Sequence, residues 1–249
     1  MTVINQPLSC VTWNVHRCRG NDKVVDTDRT SRVLLKDVVQ PGSEALVLTE
    51  ADACDPAYSG LLDIAQIEDA TGLRSVHTLP ARRWSDASSG FLGIVVFLDP
   101  AIEVEGVTVL DLPGHTHRGA VVVEALRDGR KFRIIGAHLS LSQMLRWAQM
   151  RVIAQHMQRG PSVPTVLIGD LNEWRPWGGL IFAQRRFGAA FQGPAKPTFP
   201  VNSPILPLDR VLTTGGAQVI STQVLDSAGI RATSDHRPLA AKVDLHTLP

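Results

Sequence analysis

Cysteine is scarce in this chain of 249 residues: Cys10, Cys18 and Cys54 make up the whole complement. An odd, small number in a chain of this size excludes a disulfide scaffold, and without a CxxC pair neither a structural zinc site nor a thioredoxin-like redox motif is expected. Aromatic residues are also sparse, at 5%, with one tyrosine and five tryptophans spread along the sequence. No aromatic-rich basic groove for stacking single-stranded nucleic acid is evident. An excess of either charge is missing too, since 25 Lys and Arg against 24 Asp and Glu leave a net +1. A protein that grips nucleic acid through its phosphates usually carries a clear basic excess. No apolar run reaches the roughly 18 to 20 residues of a membrane span. The opening MTVINQPLSC has neither a basic n-region nor an apolar h-region, so the expectation is a cytoplasmic protein without stable membrane insertion. GxSxG and GxxxxGK[ST] do not occur, which sets aside serine-hydrolase and P-loop chemistry.

What is present is a 44% hydrophobic composition, enough to bury the core of one domain spanning residues 1–249. Short apolar runs recur at Leu8–Trp13, Ala45–Leu48, Gly93–Leu98, Ala120–Leu126, Lys131–Ala137, Thr165–Ile168 and Leu239–Leu245, and these are expected strands. Asp128-Gly129 between two of them signals an antiparallel hairpin. Helices are expected over Leu141–Arg159, over about Asp28–Val39, and between Ser59 and Gly72. In the first of these, Leu141, Met144, Leu145, Ala148 and Val152 form the apolar face, with Gln143, Arg146, Gln149 and Arg151 outside it. Gly160-Pro161 stops that helix. Pro80–Gly90 and the stretch Gly188–Pro207, which holds five prolines, are expected loops. Interleaved strands and helices give a mixed α/β class. The pairs Arg82-Arg83 and Arg185-Arg186 are either solvated surface or the lining of an anion groove.

Polar clusters fall where strands end, the place where a scaffold presents reactive side chains to a cleft. TWNVHRCRG delivers Asn14 and His16, placed on one face by period-two alternation. LTE ends in Glu50, and GAHLSL ends a hairpin strand with His138. IGDLNEW offers Asp170 and Asn172 at a spacing of two. LDRVL supplies Asp209, and SDHRPL supplies Asp235 and His236 before a turn fixed by Pro238. Each alone is also an ordinary turn former, cap or satisfied core histidine. Together, carboxylates and amides with histidines and no cysteine cluster form a hard-oxygen donor set suited to Mg²⁺ or Mn²⁺ rather than zinc.

The ordered set WNV, E, HL, GDLN, LDRVL and SDHRPL resembles the endonuclease/exonuclease/phosphatase superfamily over nearly the whole chain, and Thr198-Phe199-Pro200 matches a TFP element found before the LDR motif in bacterial members. Two departures stand out: Thr49 precedes Glu50 where glutamine is commoner, and SSGFLGIVVF (Ser88–Phe97) replaces a GNALLSR-like segment. The resemblance implies a four-layered α/β sandwich: two mixed, mostly antiparallel β-sheets packed face to face, helices outside, the site at one end. It implies that Asn14 and Glu50 bind a metal, Mg²⁺ or Mn²⁺, and that Asp235 completes that site. Asp170 and Asn172 would position the attacking water or a metal ligand. His236 would act on the phosphate with Asp209 as its carboxylate partner, and His138 would bind the phosphate or assist the leaving group. Such a set suits in-line water attack, because a metal and an imidazolium together neutralise charge developing on the phosphoryl oxygens.

The expected function is therefore divalent-metal-dependent hydrolysis of phosphate esters. The near-neutral charge ranks a small-molecule or lipid-type phosphodiester above DNA or RNA. A metal-dependent endonuclease or exonuclease is the alternative, and a non-catalytic protein that keeps the fold and binds through its cleft is a further one. A zinc protein built on His115, His117 and His138 fits no HExxH-type spacing.

Overall fold

Alternation along the strands sorts their apolar residues into two sets, and the sorting builds the layers. A computed structural model describes residues 6–175, 181–182 and 190–245. In it, β1 (Leu8–Asn14), β2 (Ala45–Thr49), β3 (Arg74–Ser75), β4 (Val95–Leu98), β10 (Gln218–Val224) and β11 (Leu239–Asp244) form one sheet in the order β10-β11-β1-β2-β4-β3. A second sheet runs β5-β6-β7-β8-β9, from β5 (Glu103–Leu112), β6 (Arg118–Arg127), β7 (Arg130–His138), β8 (Thr165–Asp170) and β9 (Asp209–Thr214). Pairing is antiparallel except for β1 with β2 and β7 with β8.

One set of alternating residues, including Cys10, Val47, Val96, Val121, Ile134, Ile168, Val211 and Ala241, packs between the two sheets. Their neighbours point outward. Trp13, Leu46 and Phe97 meet Leu34, Ile67 and Ile230 on the outer face of the first sheet. Val122, Ile135 and Leu167 meet Met150 and Ile153 on the outer face of the second. The result is the four-layered α/β sandwich with helices outside.

Three of the described helices begin where a side chain accepts a free backbone amide. Asp26 caps α1 (Thr27–Val33), which runs on through a π-turn over Leu34–Val38; Asp63 caps α2 (Ile64–Thr71), which ends on left-handed Gly72. Ser227 caps α4 (Ala228–Thr233).

The long helix α3 (Gln143–Arg159) corrects the expected apolar face. Arg146, Gln149, Met150, Ile153 and Ala154 are its buried residues, whereas Leu141 and Met144 are 75% and 82% exposed. Arg146 and Gln149 face inward with most of their polar atoms engaged there: Arg146 donates to the carbonyls of Ser140 and Leu141, Gln149 accepts from Ser140 N and donates to Pro113 O, and Arg146 Nε alone of these groups is buried without a hydrogen-bond partner among the described residues. Hydrogen bonding to a loop therefore outweighs the apolar pattern.

Four strands lie outside the apolar runs: β3, which is only two residues long, β5, β9 and β10. β5 is an edge strand of mostly exposed or half-buried residues interrupted by a bulge between Val104 and Gly106, and β10 is an edge strand with the same exposure. Neither needs an apolar run. β9 is short, and its LDRVL sequence stands out as a motif around Asp209 rather than as an apolar run. Arg185-Arg186 and the start of the expected Gly188–Pro207 loop lie outside the described residues. Arg82 and Arg83 donate to backbone carbonyls of Val76 and Asp86 in their own loop.

Gly169, opposite Ala137 in the β7–β8 ladder, has φ +141°, and a Cβ there would sit 2.1 Å from the Ala137 carbonyl oxygen. Backbone cannot yield as a flexible side chain can. Gly169→Ala is expected to cost at least about 2 kcal/mol of stability. A urea titration should show a lower midpoint with an unchanged slope; an unchanged midpoint would show that the ladder accommodates a Cβ.

Candidate active site

At one end of the sandwich the inner face turns from apolar to polar. His138, Asp170 and Asp209 are register partners across β7, β8 and β9, in line with Ile134, Ile168 and Val211 on the inner face. Asn14 closes β1 on the opposing sheet, and its side-chain amide donates to Asp170 Oδ2 at 2.9 Å. Asp170 Oδ1 accepts the backbone N–H of Asn172 at 3.1 Å, and Asn172 Nδ2 donates to Leu139 O at 2.9 Å.

His236 sits between the sheets with its Nδ1 2.7 Å from Asp209 Oδ2 and its Nε2 3.9 Å from Asp170 Oδ2. The hydroxyl of Thr198 donates to the same Asp209 oxygen at 2.6 Å, so this carboxylate is held from two sides. Phe199 packs on the His236 ring, centroids 5.0 Å apart. His138 Nε2 lies 3.5 Å from Asp170 Oδ2 and 3.9 Å from Glu50 Oε1, beyond hydrogen-bond length.

A cavity of about 320 Å³ opens onto these groups, lined by Asn14, Glu50, His138, Asp170, Asn172, Asp235 and His236. Asp209 stands behind His236. All the site residues expected from the sequence thus gather at one end of the sandwich. His115 and His117 do not join them; His117 packs on Trp84 and Tyr58 instead. Among the described residues, the group with three metal-capable atoms within 4.8 Å is Asp170, Asp209 and His236, so the zinc grouping of His115, His117 and His138 is not formed.

Some of the placement differs in cause from simple alternation. β1 ends at Asn14, and His16, Arg17 and Cys18 follow with φ of 48°, 52° and 58°, a left-handed turn. That turn brings His16 Nδ1 to 3.5 Å from Asp235 Oδ1 and Arg17 Nη1 to 2.9 Å from Glu50 Oε2. Glu50 and Asn172 also have positive φ, 55° and 51°.

Residues that motif reading passed over complete the site. Arg118 lines the cavity from the start of β6, with Nε donating to Leu139 O at 3.3 Å. Beneath Asn172, the fully buried Glu173 receives Arg175 at 2.7 and 3.0 Å and Arg146 at 3.5 Å. Asp52 ties the SSGFLG segment down through the amides of Ser89 and Gly93. Thr198 was matched as part of TFP, but only the fold reveals that it orients Asp209.

Burial and charge set the protonation states. Burial works against a charge on His236, but the Asp209 carboxylate, its hydrogen bond, and then Asp170 and Asp235 outweigh it and push the ring up to about 10. His138 is driven the other way, well below the ordinary histidine value, by burial first and then by Arg118, His236 and Arg17. Burial lifts Asp170 to about 6, with Asp209 and Glu50 adding to the rise while His236 and the Asn14 hydrogen bond oppose it.

The donor set fits a divalent cation. Its oxygens are hard carboxylate and amide groups, and Asp235 Oδ1 is buried without a hydrogen-bond partner among the described residues. The convergent trio Asp170, Asp209 and His236 is less suited, because His236 Nδ1 and Asp209 Oδ2 already satisfy each other.

Fold and donor set together define a two-sheet α/β sandwich with an oxygen-rich, imidazolium-bearing site at one end. The chain belongs to the endonuclease/exonuclease/phosphatase family, whose model matches residues 11–236. That family consists in general of metal-dependent phosphoesterases and nucleases. The chain is 27% identical over 213 residues to the uncharacterized protein YbhP of Escherichia coli (strain K12), covering 74% of this chain and 83% of YbhP. The fold is similar to an endonuclease/exonuclease/phosphatase from Beutenbergia cavernae DSM 12333, at 22% identity and TM-score 0.66, over 96% of this chain and 72% of the other. It is also similar to D. rerio TDP2 complexed with single-strand DNA product, at 17% identity and TM-score 0.65, over 95% and 98% of the two chains.

Asp209→Asn removes the charge that holds His236 protonated while keeping the side-chain shape. In metal-free protein, the His236 ring followed by NMR is expected to stay charged through pH 8 in the wild type. In the variant its pKa should fall by more than one unit, because burial then acts with less opposition. An unmoved titration would show that Asp209 is not the dominant partner.

Proposed function

We propose that this protein is a divalent-metal-dependent phosphodiesterase working by in-line attack of water. The observation that carries the reading is the oppositely directed pair in one cavity, a charged His236 buttressed by Asp209 and a neutral His138, both within 4 Å of Asp170. Environments that push titratable groups apart are how acid and base roles are divided at one pH.

Asn14, Glu50 and Asp235 would hold the cation, Mg²⁺ or Mn²⁺. When bound, it supplies positive charge to the phosphoryl oxygens. The chain's own groups do the rest. His236, as an imidazolium, stabilises negative charge developing on a non-bridging oxygen. Asp170, raised towards neutrality, accepts a proton from the attacking water as the new P–O bond forms. Asn14 and the Asn172 amide hold its two oxygens in place. As the bond to the leaving oxygen breaks, neutral His138 donates a hydrogen bond to that oxygen or to the phosphate. Arg118 adds a guanidinium at the cavity wall for the substrate's charge. No covalent enzyme intermediate is needed.

A nuclease reading also has support, since TDP2, with a similar fold, is described with single-strand DNA product. The net charge of +1 favours a small or lipid-type diester over polymeric DNA or RNA.

Hydrolysis of bis-(p-nitrophenyl) phosphate and the matching monoester by metal-stripped protein tests the reading. Turnover of the diester is expected only after Mg²⁺ or Mn²⁺ is restored. It should fall by about two to four orders of magnitude in His236→Ala and in Asp170→Asn. Equal activity with and without metal in folded protein would remove the proposal, and metal-dependent nicking of plasmid that outpaces the small diester would move it to the nuclease alternative.

A further inference from the structure

Helix α3 is amphipathic in an unexpected sense at its start. Leu141, just before it, and Met144, one turn on, face water at 75% and 82% exposure, while Arg146 and Gln149 are buried. Leaving large aliphatic side chains in water forgoes stability that burial would supply. Single exposed apolar residues are ordinary on any protein, and Leu79 and Ile220 are of that kind here. Leu141 is different because it lines the cavity that holds His138, Asp170 and His236. Trp174, 53% exposed, lines the same cavity, as do Phe199, Leu206 and Leu208. Ile205, next to Leu206, is 73% exposed.

Trp174 is held in position. The Arg175 guanidinium lies over the Trp174 ring at 5.2 Å, and Arg175 is itself forked onto the buried Glu173 carboxylate. The lining of the cavity therefore combines charged groups, Arg118, Glu50 and Asp235, with five apolar residues. Charge and hydrocarbon in one lining complement an amphiphile rather than a polyanion. Three of the five, Leu141, Leu206 and Leu208, are aliphatic, which suits a saturated chain better than a stacked base.

We infer that the part of the cavity lined by Leu141 and Trp174 receives an alkyl chain esterified to the scissile phosphate, so that phosphodiesters with one long alkyl substituent are the preferred substrate class. This inference rests on the phosphodiesterase reading above and narrows it.

A series of p-nitrophenyl alkyl phosphates with methyl, butyl and octyl substituents, kept below their micellar concentrations and assayed with Mn²⁺, separates the two. Leaving group and reacting centre are constant along the series, so only the alkyl contact changes. Half-burial of each added methylene corresponds to about a twofold gain, or about a hundredfold if all seven added from methyl to octyl are half-buried, and kcat/KM is expected to rise at least about tenfold across the series, the gain of three to four methylenes in contact. Leu141→Ser, Trp174→Ala and the double variant should flatten that ratio. All are changes at exposed positions, and unchanged melting temperatures would establish folding. Val104→Ser, an exposed position on the β5 edge, should keep the wild-type ratio. A flat series in the wild type, or a slope that survives in the double variant, overturns the alkyl site and leaves the phosphodiesterase standing. Absence of metal-dependent turnover of even the methyl ester overturns the underlying reading itself.

Discussion

One hydrogen bond, from Asn14 Nδ2 to Asp170 Oδ2 at 2.9 Å, ties the end of the first sheet to the end of the second, and the rest of the site is arranged around the carboxylate it reaches. A buried carboxylate is costly unless its oxygens are satisfied. Asp170 is 2% exposed, and its other oxygen takes the Asn172 amide. The same stretch of inner face packs Ile168 and Val211 against their counterparts on the first sheet. The core thus fixes the separation of the sheets, and that separation lets a short amide span the gap. Moving either sheet would strand a buried charge, so packing and site geometry constrain each other.

Around this contact the backbone carries conformations that side chains resist. His16, Arg17, Cys18, Glu50 and Asn172 all have φ between 48° and 58°. Left-handed backbone costs roughly 1–2 kcal/mol for each such residue. It persists only where the surroundings over-determine it. Here Cys18 is fully buried, Val15 N donates to Thr49 O and Arg17 N to Glu50 O. Those bonds lock the turn after β1 to the turn after β2. The strain carries two loops back over the cavity mouth, so that Glu50, which simple alternation would place on the outer face, reaches the site.

How far the sequence anticipates this depends on what each feature rests on. Strands with an alternating or continuous apolar run, such as Ala120–Leu126 and Thr165–Ile168, were legible because burial imposes the pattern. The edge strands β5 and β10 were not, because an edge needs backbone pairing and little burial. Candidate side chains at strand ends were legible as an ordered set of motifs. Thr198 holding Asp209, Arg17 holding Glu50 and Glu173 gathering Arg146 and Arg175 were not, since each depends on a tertiary contact between distant segments. The buried face of α3 departs from its apolar periodicity for the same reason: Arg146 and Gln149 are held inward by hydrogen bonds to the loops before and beside the helix, which periodicity does not contain.

The two cavity histidines show why residue type alone does not assign a role. Both are almost wholly buried, at 2% and 5% exposure, and burial opposes a charge on each. His236 has a carboxylate at hydrogen-bond distance, with Asp170 and Asp235 beyond it, and becomes the charged one. His138 has carboxylates only at 3.5 Å or more and is repelled by Arg118, His236 and Arg17. A hydrogen-bonded carboxylate on one buried ring, and neighbouring positive charge without such a partner on the other, separate a fixed cation from a neutral donor. The charged histidine depends on a partner from β9 that is itself held by Thr198, and the neutral one depends on the charged one. Their states are therefore a property of the assembled sheet end, which no single motif specifies.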